Sequence, residues 1–505
     1  MCRLCDPQRP KLPCPSRRDF LRAGTVGGAA LAATATLGSS ATAQHIAEST
    51  IPEGMGEPGR RILIRGGVVL SMDDAVGNFA TGDVLIEGGR IVEVAARIEA
   101  PDAAVIEAAG KIVMPGFIDT HHHQFETALR SQLAHGILVN DGRPVNATNY
   151  YETILQQFSL VYRPEDVYIN ELFAGIAQLD AGVTTVMDVS QIHHSPEHSD
   201  AAIEGLADAG RRAVFGYFEG HGDRSRYPQD ARRIKQQHFA SDDQLLTMVM
   251  GGEIYLPGYE TSWALGRELG LPIALHVVGT FGMAGTFDQL AEAGEFGADN
   301  IFIHMTGMSD MAWQRAADAG AHVSLAVPIE MHMRHGTPPI QKALDLGMST
   351  SLSSDVECTM TADPFTQMRG LITLQRMFVN EAALSGAEEY PALMQCADAL
   401  RHATIEGAKG LRLDGVTGSL TPGKAADIVL LDAEALNVAP LNNAAGAVVT
   451  LMERSNVDTV LVAGRPKKWQ GQVVGYDIAR LRDELTASRD YLFEAAGVER
   501  DLFAL

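Results

Sequence analysis

At 505 residues the chain is long for one compact domain, which leaves room for a large core and a second, smaller domain. Hydrophobic residues make up 46% and charged residues 20% of it, a balance that excludes a disordered polymer. The net charge of −23 argues against nucleic acid or an anionic membrane surface as a partner.

The beginning of the chain stands apart. Ser16-Arg17-Arg18-Asp19-Phe20-Leu21-Arg22 precedes a small-residue apolar stretch that ends in Ala41-Thr42-Ala43. Paired arginines, a modest apolar segment and an A-x-A site predict a twin-arginine export signal over residues 1–43, cleaved after Ala43, and a periplasmic or secreted mature protein. A membrane anchor is the competing reading, but the stretch is rich in Gly and Ser and holds only two leucines. Losing its six basic and two acidic residues takes the net charge to −27. Cys2, Cys5 and Cys14 leave with it, so Cys358 and Cys396 allow one bridge at most and no disulfide framework.

Short strands with Gly turns follow at Arg61–Leu70, Asp83–Glu87 and Arg90–Val94, and a counterpart recurs at Asp427–Leu431 and Val457–Ala463. Residues 44–114 and 413–475 therefore pair into one small β-sandwich built from both ends of the chain. Between them, apolar runs begin at Ile112, Val183, Ala213, Leu246, Pro272, Ile301, His322 and Met348, each followed by a helical pattern. Apart from the first interval, which holds an extra loop, the spacing is about 20–35 residues, one strand plus one crossover helix. Eight such units predict a closed parallel (β/α)8 barrel over residues 115–412. A doubly wound open sheet is the competing fold, and no G-x-G-x-x-G follows the first strand to support it. Residues 476–505 read as a terminal helical tail.

The chemistry concentrates at strand ends. Pro115–His123 runs from an apolar strand straight into three histidines, and strand alternation lets His121 and His123 face one ion while His122 points elsewhere. His276, His304 and Asp355 likewise terminate the fifth, sixth and eighth apolar runs, at the rim where a parallel barrel carries its active site. Any one of these histidines alone is more often a satisfied core residue than a ligand. Together, three imidazoles and a carboxylate from separate strands suit Zn or Fe(II) and leave a position open for water.

These residues resemble the amidohydrolase superfamily, and within it the triazine hydrolases, guanine deaminases and related aminohydrolases. The resemblance covers nearly all of the chain after residue 43 and includes Pro115–His123, Ala181–Val186, the later histidines, Asp355 and Gly418–Ile428. It implies His121, His123, His276 and Asp355 as ligands of one divalent ion, Zn before Fe, with Asp355 and His304 catalytic. Such an ion lowers the pKa of water from 15.7 to about 7, and Asp355 then carries its proton to the leaving group. The implied reaction is hydrolysis of a non-peptide carbon–nitrogen bond in a small cyclic or linear amide or a substituted heterocycle. No Lys ends the fourth strand, so a carboxylated-lysine two-metal site is not expected. Deaminases of this branch carry H-x-x-E after the fifth strand, whereas this chain reads His276-Val-Val-Gly279, which puts purine or pyrimidine deamination in doubt.

His193, Glu219, Glu253 and Glu330 follow other strands and are candidate substrate contacts, as is the loop from His332 to His335. The insertion from Asn140 to Tyr151 is a candidate lid or subunit contact. A lactonase or esterase with the same site differs only in the leaving atom, and a silent barrel that binds without turnover is the alternative from another class. The reading leaves room for a homo-oligomer.

Overall fold

The computed structural model describes residues 50–144, 147–241 and 243–503. The twin-arginine segment and its cleavage site lie outside the described residues. Among those described, no helix is long and apolar enough to cross a membrane.

The first five strands, β1 (Arg61–Val69), β2 (Phe79–Glu87), β3 (Arg90–Ala95), β4 (Ala104–Glu107) and β5 (Lys111–Pro115), belong to one sheet. Eight parallel strands follow: β6 (Phe117–His122), β7 (Val183–Ser190), β8 (Arg212–Tyr217), β9 (Leu246–Gly251), β10 (Ile273–Val278), β11 (Asn300–Thr306), β12 (His322–Leu325) and β13 (Thr350–Leu352). They lie in sequence order, and a parallel bridge between His122 and Asp355 brings the two edges of this sheet together. The predicted barrel is therefore present. β14 (Ile428–Asp432), β15 (Val457–Val462), β16 (Arg465–Trp469) and β17 (Gln472–Val473) then extend the first sheet, with β14 antiparallel to β5. Both ends of the chain thus build one nine-stranded sheet around its own apolar cluster, which includes Ile62, Val84, Val113, Ile428 and Leu461.

The barrel strands are apolar because both faces are covered. Every residue of β6, β7, β8, β11, β12 and β13 is buried. Inside, Ile118, Met187, Val214, Val249, Ala274 and Ile301 pack with Ile405, Ala408, Leu411 and Leu413, which fill the barrel near the strands' N-terminal ends. A buried ion pair from Arg212 Nε to Asp427 Oδ2, at 3.0 Å, ties the start of β8 to the terminal sheet.

The apolar run from Ile112 to Ile118, read from sequence as one strand, is two. It breaks at Gly116, where β5 ends in the small sheet and β6 enters the barrel, with Gly116 N donating to Asp427 O and Phe117 N to Gly182 O. Hydrophobicity alone does not show the break, because both halves are buried. A methyl group on Gly116 would overlap the Thr184 side chain on the neighbouring strand. Gly116→Ala is expected to lower stability by about 1–3 kcal/mol, the range for overpacking, read as a reduced midpoint in urea unfolding.

Candidate metal centre

The closure of the barrel assembles the centre. His123 N donates to Asp355 O and Asp355 N to His121 O, both at 2.9 Å, so the residue that follows β13 is stitched between the two histidines at the end of β6. Nε2 of His121 lies 2.9 Å from Nε2 of His123 and 3.1 Å from Nε2 of His276, and the latter two are 3.3 Å apart. Asp355 Oδ1 stands 3.5 and 3.6 Å from Nε2 of His121 and His123. Tetrahedral bonds of about 2.0–2.2 Å require ligand atoms spaced by roughly 3.3–3.6 Å, and the observed spacings run from 2.9 to 3.6 Å.

The electrostatics agree with a cation at the focus. Burial first, and then the neighbouring imidazoles, hold His121 and His123 well below the ordinary histidine range, so both rings are neutral and carry a lone pair. Three ring nitrogens facing one another cannot all be paired by hydrogen bonds, whereas a shared divalent ion satisfies all of them. His276 is backed by Glu253: its Nδ1 donates to Glu253 Oε1 at 2.5 Å. Burial would lower this ring's pKa, and the carboxylate raises it instead. The β9–β10 ladder stops at the Ala274–Gly251 pair, which leaves the His276 N–H to bond the same Oε1 at 3.4 Å.

His304 sits beside the focus, with Nε2 3.5 Å from Asp355 Oδ2 and Nδ1 donating to Glu330 Oε1 at 3.1 Å. Burial and the neighbouring His335 hold His304 well below the ordinary range, and burial lifts Asp355 to about 7. Both His304 and Asp355 have positive φ, 70° and 63°, as does Met305 at 52°. Such backbone costs about 1–3 kcal/mol for a non-glycine residue and collects at functional sites. The predicted alternation also places His122 away from the focus, its Nε2 3.9 Å from Glu357 Oε2. Beside the cluster lies a cavity lined by His123, His276, His304, His335, Asp355, Tyr150, Gln191 and Tyr255 among apolar side chains.

Four sequence candidates for substrate contact do not line this cavity. His193 is fully buried, and both its nitrogens are already used, Nδ1 on Ser199 Oγ at 2.9 Å and Nε2 on Ser190 O at 2.8 Å. Glu219 accepts from Glu253 N at 2.9 Å and so holds the turn that carries Glu253. Glu253 and Glu330 stand behind His276 and His304 as orienting carboxylates. In the loop after β12, His332 is spent on Ala134 O at 2.8 Å, while His335 faces the cavity. The insertion from Asn140 contributes Tyr150, whose hydroxyl donates to buried Glu126 at 2.5 Å. Burial lifts that carboxyl to about 8.

Sequence reasoning missed Glu126 and Gln191. Gln191 follows the last residue of apolar β7, the same signal that found His304, and Glu126 is a lone carboxylate in the buried turn after His123. Gly279, where H-x-x-E would place a carboxylate, packs on the next loop. A Cβ there would stand 3.1 Å from Gly307 Cα and 3.2 Å from Gly307 O and Thr306 O.

The Amidohydrolase family profile matches residues 112–467, and the chain belongs to that family. The family makes it a hydrolase of carbon–nitrogen bonds other than peptide bonds, acting on a small molecule, and the donor set is that of a divalent metal site. Similar proteins include the 5'-deoxyadenosine deaminase of Methanosarcina mazei, 23% identical over 85% of this chain and 98% of its own length. The 5-methylthioadenosine/S-adenosylhomocysteine deaminase of Desulfitobacterium hafniense is 26% identical over 84% and 97%. In fold, the chain resembles an adenosine deaminase from Xanthomonas campestris with bound zinc, at TM-score 0.75 and 22% identity over 86% of this chain and all of that one. It also resembles an atrazine chlorohydrolase from Arthrobacter aurescens TC1 complexed with zinc, at TM-score 0.72 and 21% identity over 85% of this chain and all of that one.

Removing the carboxylate behind a ligating histidine typically costs 10–100-fold in metal affinity or activity. Glu253→Gln is therefore expected to weaken divalent-ion binding by about that factor, measured by competition with a chromophoric chelator, with the fold unchanged by circular dichroism.

Proposed function

We propose that the chain is a single-metal hydrolase of substituted nitrogen heterocycles or related amides, with zinc held by His121, His123, His276 and Asp355. The observation that carries this reading is the convergence of three Nε2 atoms and one carboxylate oxygen, with the second oxygen of the same carboxylate left free. The bound ion supplies an activated water at neutral pH. Asp355 Oδ2 has no hydrogen-bond partner and faces His304, so it is the atom placed to accept a proton and pass it to the leaving group. His304, fixed through Nδ1 by Glu330, presents the lone pair of Nε2 towards the reacting centre, where it accepts a hydrogen bond and helps orient the attacking water. The surrounding apolar wall excludes water and strengthens both interactions.

Zinc removal by a chelator is expected to abolish hydrolysis, and stoichiometric zinc to restore it. In the zinc-loaded enzyme, Asp355→Asn is expected to lower turnover by about 10²–10⁴-fold with an unchanged melting temperature, followed by product mass on a panel of amides and heterocycles. Near-normal turnover in that variant would move the proton transfer elsewhere.

The same reading assigns the enzyme to the periplasm or the exterior. Arg17 and Arg18 are the basis, because a twin-arginine route carries folded chains and permits metal loading before export. Replacing both with lysine is expected to leave folded, metal-bound, active enzyme in the cytoplasm. Metal-free protein accumulating there would overturn this assignment.

A further inference from the structure

Of the four histidines that line the cavity, His123, His276 and His304 each engage at least one ring nitrogen, at the focus or on a carboxylate. His335 engages neither. Its ring is only 2% exposed, both nitrogens lack a partner, and it stands edge to face with His304, the ring centres 4.6 Å apart. A buried polar ring with nothing to bond is unfavourable and marks a position completed by something else.

The ring's place is set by its backbone. His335 N donates to Glu330 O at 3.2 Å, and its carbonyl accepts from Thr306 Oγ1 at 2.8 Å. The flanking residues adopt positive φ, 60° at Arg334 and 132° at Gly336. Much of the rest of the cavity wall is apolar, with Leu138, Leu155, Val278, Phe281, Met283 and Met333, and among the described residues Asp355 is the only carboxylate that lines it and no Lys or Arg does.

We propose that His335 is a specificity-determining residue that hydrogen-bonds a ring nitrogen of an uncharged heterocyclic substrate, whose carbon edges rest on the apolar wall. A neutral imidazole offers one donor and one acceptor, so it matches a ring nitrogen or the amino group beside it. A wall without cations gives an anionic substituent no counter-charge, and a site built for one hydrogen bond discriminates against the isostere that lacks it. The inference rests on the cavity being the hydrolytic site proposed above.

The test is binding of 2-aminopyrimidine and of aniline, both uncharged near neutral pH, to the full-length zinc-loaded protein by calorimetry. The wild type is expected to prefer 2-aminopyrimidine by about tenfold, the scale of one hydrogen bond. His335→Phe should remove the preference, and His335→Asn should restore part of it. If the Phe variant does not fold, His335→Leu takes its place. A preference absent from the wild type, or one that survives in the apolar variant, overturns the role of His335. The expected preference without turnover of any amide or heterocycle overturns the hydrolytic reading and leaves the His335 assignment standing.

Discussion

The structure depends on a conflict that protein atoms alone do not resolve. Nε2 atoms of two buried histidines and the half-buried His276 lie within 3.3 Å of one another, with a carboxylate oxygen 3.5 and 3.6 Å from the buried pair. Neutral imidazoles offer only one ring proton each, and charging His121 or His123 in this dry setting is opposed by burial and by the neighbouring rings. A divalent cation turns the same crowding into coordination. The positive φ of His304 and Asp355 belongs to this arrangement, since the surrounding barrel must hold both residues in a backbone conformation they would not otherwise choose.

The barrel's seam makes that arrangement hard to undo. His121 is on the first barrel strand, His123 directly after it and Asp355 beyond the last, and the two hydrogen bonds that close the ring run between their backbones. Packing elsewhere in the barrel therefore bears on ligand spacing. Thr120, directly before His121, turns inward to meet Ser324 and Ser351 hydroxyls at 2.7 Å, a polar layer that fixes the register of β6 against β12 and β13. Asp119 adds to the same seam by accepting from Ser354 N at 3.1 Å.

Much of this was legible in the sequence because the signals are periodic. Alternation in Thr120–His123 separates the converging histidines from His122, and an apolar run ending in a polar residue marks His276, His304 and Asp355. What was not legible depends on neighbours distant in the chain. His193 looks like a free rim histidine until Ser199 and Ser190 are seen to consume both nitrogens. Glu253 and Glu330 look like substrate contacts until they are found behind the histidines, 23 and 26 residues from the rings they orient. The split at Gly116 is hidden because burial is continuous across it, and only hydrogen-bond partners change from one sheet to the other.

The missing carboxylate at position 279 has a packing consequence. Gly279 and Gly307 approach so closely that a side chain at 279 would require the ends of β10 and β11 to part by a few tenths of an ångström. Beside Gln191 and Tyr255, polar groups reach the cavity from two further segments, the loop that carries His335 and the insertion that carries Tyr150. These two segments are themselves joined, through Arg334 to Asp141 at 3.1 Å and Leu138 N to Met333 O at 2.9 Å. The His335 contact proposed above thus rests on a pair of mutually braced loops, apart from the donor atoms at the seam.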